Sequence, residues 1–369
     1  MNFYTTYQRY KGFDFAGFFG NVNKSEIVGI LGSRDITEEQ FLRLLSSSAL
    51  EYLEPLAQTA HNITKQYFGK AILLYTPMYL SNYCENQCLY CGFNITNKIK
   101  RKKLSLSEVE KEAQFIAKTG LKHILILTGE SRKFTPLSYL KECINILNKY
   151  FSSISIEIYP LEKQEYKELI DQGVDGLTIY QEVYDEDTYK RMHISGPKTD
   201  YRFRLDTPER AAQAGIRTVN IGSLLGLTDW AKEAFFLGLH AKYLQNKYPA
   251  CEISVSIPRI RQQINSFQQP FIVSDKNIVQ MILAIRIFLP RVGISLTTRE
   301  SPQLRDNIIP LGITKISAGS TTSVGGHTLE TRDNTNQFDI LDKRNVTEIK
   351  KMLLDKGYQP IFKDWVGAY

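Results

Sequence analysis

Eight short runs rich in β-branched and other apolar residues recur along the chain, at 71–80, 123–130, 153–160, 176–183, 218–226, 251–258, 293–300 and 313–320. Between them lie amphipathic stretches with apolar positions three and four residues apart, the period of a helix with one buried face. The clearest is SLSEVEKEAQFIAKTG, where Ser105 and Glu108 make a capping box and Gly120 stands where a helix would stop. Ahead of the first run, residues 1–70 read as helical: Thr37 and Gln40 make another capping box, and Leu50, Leu53, Leu56, Ala57, Ala60 and Ile63 keep helical spacing. Strand and helix alternating eight times, without a GxGxxG after the first run, predicts an α/β fold of the (β/α)8 barrel type, not a doubly wound sheet. The expected divisions are a helical N-terminal extension over 1–70, the barrel over 71–335 and a short C-terminal extension over 336–369 that closes the barrel. That last segment holds one more helix pattern and the aromatic end KDWVGAY.

Composition narrows the class without changing this picture. A chain of 369 residues, 43% hydrophobic and 23% charged, has room for a sizeable core and is neither fibrous nor disordered. No apolar run approaches the roughly 18–20 residues of a membrane helix, and the start, MNFYTTYQRYKG, lacks the basic-then-apolar order of a signal peptide. The expectation is a cytoplasmic protein with no membrane contact. The net charge of +7 is too modest to imply nucleic acid. One concentrated basic run, Lys98, Lys100, Arg101, Lys102 and Lys103, reads either as a solvated face or as a dock for an acidic partner.

The cysteines carry the chemistry. Cys143 and Cys251 stand alone in apolar patterns and read as small buried hydrophobes, whereas Cys84, Cys88 and Cys91 fall within eight residues, just beyond the first run. A structural zinc site wants four ligands, and no nearby Cys or His completes one, since His123 begins the next run, at the other end of the barrel. Three thiolates suit a four-iron cluster that keeps one iron open to a small molecule. In a barrel the ends of all strands share one face. Those ends hold Thr128, Gly129, Glu130, Glu157, Tyr159, Gln181, Glu182, Gly222 to Gly226, Arg259, Arg299, Glu300 and Ser317 to Ser320.

The spacing CxxxCxYC on the loop after the first strand resembles the signature of the radical S-adenosylmethionine (SAM) enzymes. The resemblance implies a [4Fe–4S] cluster held by Cys84, Cys88 and Cys91, and SAM bound through its amino and carboxylate groups to the fourth iron. Reductive cleavage then gives methionine and a 5′-deoxyadenosyl radical that takes a hydrogen atom from the substrate. Tyr90, before the last cysteine, is counted with the cofactor-binding residues. Thr128-Gly129-Glu130 resembles the family's GGE motif, which holds the SAM ammonium. Glu157 and Tyr159 fall where relatives contact ribose or methionine, and Gly222, in NIGSLLGL, falls in the adenine-contacting segment.

Longer stretches, among them SNYCENQCLYCGF, YQEVYDEDTYKRMHISGPK, SLTTRESPQLRDNIIPLGITKISAGSTT and FKDW, resemble the 2-iminoacetate synthase family, the radical SAM tyrosine lyases of thiamine biosynthesis. That resemblance implies cleavage of the Cα–Cβ bond of L-tyrosine to 2-iminoacetate and 4-methylphenol, thiazole synthase as acceptor of the product, and a flavodoxin or ferredoxin as electron donor. A tyrosine carboxylate in a dry cavity needs a charge-matched donor. Arg299 has the planar guanidinium for it, with Ser317 and Ser320 adding hydroxyls, unless Arg299 merely pairs with neighbouring Glu300. Gln181 and Glu182 are further pocket candidates, with structural roles open for each. Arg305 is expected to belong to its helix. The related hydrogenase-maturing tyrosine lyase needs a second cysteine cluster, and no cysteine follows Cys251, which favours the thiamine branch. Tryptophan lyases fit the long stretches less well. The competing class is a non-catalytic protein with a structural metal at the three cysteines.

Overall fold

The computed structural model describes residues 2–33, 35–264, 267–328 and 336–363. Eight parallel strands close into a barrel: β1 (Ala71–Ser81), β2 (His123–Thr128), β3 (Ser153–Glu157), β4 (Gly176–Glu182), β5 (Thr218–Ser223), β6 (Glu252–Ser256), β7 (Gly293–Leu296) and β8 (Lys315–Ser317). Each pairs with the next, and β8 returns to β1 through Leu73–Tyr75 and Lys315–Ser317. The expected (β/α)8 architecture is therefore the observed one. Most strands stop short of the sequence-based bounds, because the polar residues at their C-terminal ends leave the ladder and turn into the loops of the upper face.

Helices between Phe3 and Phe68 precede the barrel, and the capping boxes at Thr37 and Ser105 are both formed. The N-terminal helices pack aromatic side chains onto the outer helix Trp230–Lys247. Phe3 stacks on His240, and Tyr7 and Phe15 meet Phe236. His240 is thus a core residue, and it also pairs with the Tyr184 hydroxyl.

The C-terminal segment holds the expected helix (Val346–Asp355) and adds a ninth strand, β9 (Gln359–Ile361), which no periodicity announces. It pairs in parallel with Ala71–Leu73 at the lower end of β1, while Lys122 N, just before β2, donates to Phe362 O. The strand therefore wedges between the splayed lower ends of β1 and β2. Trp365 and Tyr369 of the aromatic end lie outside the described residues. His123 sits in the lower barrel, hydrogen-bonded to Ser155 and beside Lys315, remote from the cysteines as its place in sequence implies. Cys143 and Cys251 are buried. No helix among the described residues is long and apolar enough to cross a membrane.

Candidate active site

The three cysteines lie on the loop that leaves β1, and side-chain hydrogen bonds hold that loop. The Arg101 guanidinium donates to the carbonyls of Asn82, Phe93 and Asn94 at 2.6–2.8 Å. Asn94 donates to Cys88 O, and Asn97 to Cys91 O. A staple of this kind fixes backbone that has no ladder of its own to satisfy it. The basic run is thereby divided: Arg101 is a structural strut, Lys102 pairs with Glu108, and Lys103 lies over the Tyr139 ring.

The end of β2 closes on the same loop. Gly129 N donates to Ser81 O, Glu85 N to Glu130 O, and Asn86 Nδ2 to the Glu130 carboxylate at 2.7 Å. A Cβ on Gly129 would stand 2.3 Å from Tyr83 O and 3.1 Å from the Cys84 Cβ, so the middle residue of Thr128-Gly129-Glu130 has to be glycine for the two segments to meet. The third side of the loop is β4's. Tyr90 donates to His193 Nε2 at 2.7 Å, since His193 Nδ1 faces the carbonyl of Tyr189 and must itself donate there. His193 is thereby committed to locking the loop.

Three adjoining compartments open above the barrel, of about 90, 60 and 50 Å³. Glu157 and Gln337 line all three. The largest is walled by Cys84, Cys88, Cys91, Thr128, Gly129, Glu130, Glu157 and Tyr159. The second gathers Tyr90, Leu224 and Ile260 as apolar walls, with Glu182 and Lys198. The third is lined by Tyr75, Tyr79, Tyr180, Arg299, Ser317, Ser320 and Phe338. A groove of about 470 Å³ between the N-terminal helix and Trp230–Lys247 is larger, but it holds none of this convergent chemistry.

Burial pushes all three thiols up, as it does those of Cys143 and Cys251, so it is their placement around one cavity that marks them as candidate ligands. Among the described residues no three His, Cys, Asp or Glu side chains close on a single ion. The thiols are instead set around one cavity, beside the unpartnered Thr128 hydroxyl. The residues present thus suit a [4Fe–4S] group with three protein ligands.

Arg299 faces the third compartment, and the alternative of pairing with Glu300 is not what occurs. The Glu300 carboxylate is taken by Arg259 and Arg261, and the Arg299 guanidinium lies 3.3 Å over the centre of the Phe338 ring. Ser320 Oγ beside it is buried without a partner. Ser317 Oγ lines the same compartment within hydrogen-bonding reach of the Tyr75 hydroxyl. A planar cation and two serine hydroxyls that line one compartment are groups chemically able to bind a carboxylate. Glu157 sits between this site and the cysteines, and burial, with help from nearby Glu182, pushes its carboxyl up to about 7.

Four expected contacts look different in the structure. The Glu182 carboxylate meets Lys198 at 2.6 Å and Arg204 at 3.7 Å, and against the effect of burial these cations hold it below the usual carboxylate range. Its backbone, at φ 70°, lies in the left-handed region beside a bulge in the β4–β5 ladder. Gln181 lines none of the three compartments, and its buried amide has no partner among the described residues. Gly222 also lines none. A Cβ there would stand 2.6 Å from the Tyr180 ring, so its bareness makes room for that tyrosine. The Tyr159 hydroxyl donates to Thr135 O at 2.6 Å, leaving its ring as wall.

Sequence reasoning missed Lys198, Arg204, Tyr180, Gln337 and Phe338. Gln337 and Phe338 belong to a strap that crosses the barrel mouth. Gln337 N and Leu341 N donate to Thr322 O and Thr298 O, Asp339 N to Gln262 O, and the Thr322 hydroxyl to Phe338 O. The strap is anchored by Asp342, which is fully buried and pairs with Arg305 and Arg344. Arg305, from the helix Pro302–Ile308, is therefore structural. Asp342→Asn keeps the shape but leaves the buried Arg305 without its counter-charge. The expected loss is about 2 kcal/mol of stability, seen as a lowered melting temperature and faster proteolysis within the strap.

Comparison with known proteins agrees with this geometry. The profile of the Radical SAM superfamily matches residues 78–237, and that of the Biotin and Thiamin Synthesis associated domain matches residues 256–359. The chain is 39% identical to the 2-iminoacetate synthase of Escherichia coli K12 over 342 residues, covering 92% of this chain and 90% of that one. It is 37% identical to the 2-iminoacetate synthase of Salmonella typhimurium LT2, with the same coverage. Among solved structures, the FeFe-hydrogenase maturase HydG from Carboxydothermus hydrogenoformans superposes with a TM-score of 0.87 at 33% identity, covering 98% of this chain and 84% of that one. Methylornithine synthase, at 19% identity and a TM-score of 0.73, shares the fold. Three cysteines on the first loop of an eight-stranded barrel, and this identity across nine-tenths of both chains, place the protein in the radical SAM superfamily and, within it, in the 2-iminoacetate synthase family.

Proposed function

We propose that the protein is a carbon–carbon lyase that cleaves the Cα–Cβ bond of L-tyrosine, giving 2-iminoacetate and 4-methylphenol for the thiazole of thiamine, while SAM ends as methionine and 5′-deoxyadenosine. The observation that carries this reading is the adjacency of two compartments: one walled by three cysteines, the other by Arg299, Ser317 and Ser320, with Glu157 lining both. The cluster and SAM, when bound, supply the radical that takes a hydrogen from the substrate amine. The chain's own residues do the rest. Cys84, Cys88 and Cys91 hold the cluster. Thr128, Gly129 and Glu130 present carbonyls and a carboxylate to the SAM ammonium. Tyr90, Leu224 and Ile260 offer an apolar slot for adenine. Lys198, poised on Glu182, is a cation for the SAM carboxylate.

Arg299 pairs with the tyrosine carboxylate, Ser317 and Ser320 donate to it, and the Phe338 ring keeps the guanidinium flat against the wall. In the proposed pose the substrate amine points towards the cysteine compartment and the phenol lies among Tyr75, Tyr79 and Tyr180, which line the same compartment as Arg299. The strap and the barrel walls exclude water, which preserves a radical long enough to act on one hydrogen. Thiazole synthase is the proposed acceptor of the imine, and a flavodoxin or ferredoxin the proposed electron source. Lys98 remains available as part of an acidic partner's dock.

Anaerobically reconstituted protein given SAM, dithionite and L-tyrosine is expected to form 4-methylphenol and 5′-deoxyadenosine together. The measurement is product analysis by mass spectrometry. Carbon monoxide or cyanide among the products would move the protein to the hydrogenase-maturing branch, and colourless, zinc-bearing protein would remove it from catalysis altogether.

A further inference from the structure

The strap does more than roof the barrel. Gln337 Nε2 lies 3.7 Å from Cys91 Sγ, within hydrogen-bond reach of a sulfur, and its Oε1 accepts from the Tyr79 hydroxyl at 2.7 Å. A thiolate at Cys91 can only accept, so the amide nitrogen faces it, while the Tyr79 hydroxyl, free to donate, takes the oxygen. The backbone supports the approach, since Gly92 N donates to Gln337 O at 3.0 Å. A Cβ on Gly92 would stand 2.5 Å from that oxygen, so the residue after Cys91 is bare where the strap touches down. Cys84 and Cys88 have no such side-chain donor among the described residues. Gln337 thus singles out one of the three thiols, from 246 positions away in the chain.

On the reading that these cysteines hold the cluster, we propose that Gln337 is a tuning residue that sets the cluster's reduction potential by donating a hydrogen bond to the Cys91 thiolate. Reduction adds one electron, and so one negative charge, to a cluster buried away from water. A donor dipole pointing at a ligand sulfur stabilises that added charge more than it stabilises the oxidised form. The donor therefore makes the cluster easier to reduce. Tyr79 acts through Gln337, holding it in the donating orientation.

The test compares reconstituted wild-type protein with Gln337→Met, which keeps the length of the side chain and loses the amide, and with Gln337→Glu, which replaces the donor by an acceptor. Iron content and the spectral change on adding SAM are read first, and these report on the cluster reading itself. The midpoint potential is then read by electron paramagnetic resonance during dithionite titration without substrate. The expected result is four irons in each variant and a potential shifted to more negative values, further for Glu than for Met. A wild-type potential in either variant that retains four irons overturns the proposal. So does failure of both variants to hold four irons while wild type does, because Gln337 would then serve cluster assembly. Absence of a SAM-responsive cluster in wild type would instead overturn the underlying assignment of the cysteines.

Discussion

Replacing any one of Cys84, Cys88 or Cys91 with Ala is expected to abolish SAM cleavage, whereas Cys143→Ala retains it. Burial does not sort the four thiols, since Cys88 is buried like Cys143, in the helix Leu137–Leu147, while Cys84 and Cys91 are partly exposed. What separates them is what they face. Cys143 is packed among apolar side chains, where truncation removes one small group at a cost of about 1–2 kcal/mol. The other three line a cavity whose walls offer no fourth thiol and no imidazole, so a cluster that loses one ligand has no substitute. Iron analysis of anaerobically reconstituted variants, with chromatography for 5′-deoxyadenosine, checks both halves of the expectation. Wild-type turnover in a Cys91→Ala variant would contradict it.

Arg299→Ala is expected to raise the tyrosine concentration needed for half-maximal rate by roughly 30- to 1000-fold, while slow SAM cleavage uncoupled from tyrosine persists. Removing one partner of a desolvated charge pair typically costs about 2–4 kcal/mol, and each 1.4 kcal/mol is tenfold. The loss is not rescued by the neighbouring arginines, because Arg259 and Arg261 are already spent on the Glu300 carboxylate. Arg299→Lys is expected to recover little of it: an ammonium keeps the charge but neither pairs bidentately nor lies flat on Phe338. A tyrosine titration with separate quantification of 4-methylphenol and 5′-deoxyadenosine distinguishes these outcomes. Unaltered tyrosine affinity in the Ala variant would dismiss the carboxylate role.

The architecture was legible where its causes are local. The capping boxes at Thr37 and Ser105, the helical spacing before Gly69 and the eight apolar runs each record the environment of a few neighbouring residues. The Thr128-Gly129-Glu130 turn was legible by kind, although only the structure gives the reason for its glycine, the Tyr83 carbonyl 2.3 Å from an added Cβ. Glu182 shows the opposite case. As an acid at a strand end it read as a pocket candidate with a structural role equally open; it lines two compartments, but that Lys198 and Arg204 hold its carboxylate shows only in the fold. β9 was invisible because three residues carry no measurable period.

The sequence alone determined the alternation that becomes the barrel, the trio of thiols spaced for an open cluster, and the face on which both must lie. Those are properties of residues within a turn or a strand of one another, where periodicity and spacing are physical constraints. Only the tertiary structure decided that Arg299 stays clear of Glu300, whose carboxylate is held by Arg259, 41 positions away, and Arg261, 39 away, and which residue meets Cys91. Charge pairing and hydrogen bonding between distant segments depend on how the closed barrel brings its loops and strap together, and no local pattern encodes that choice.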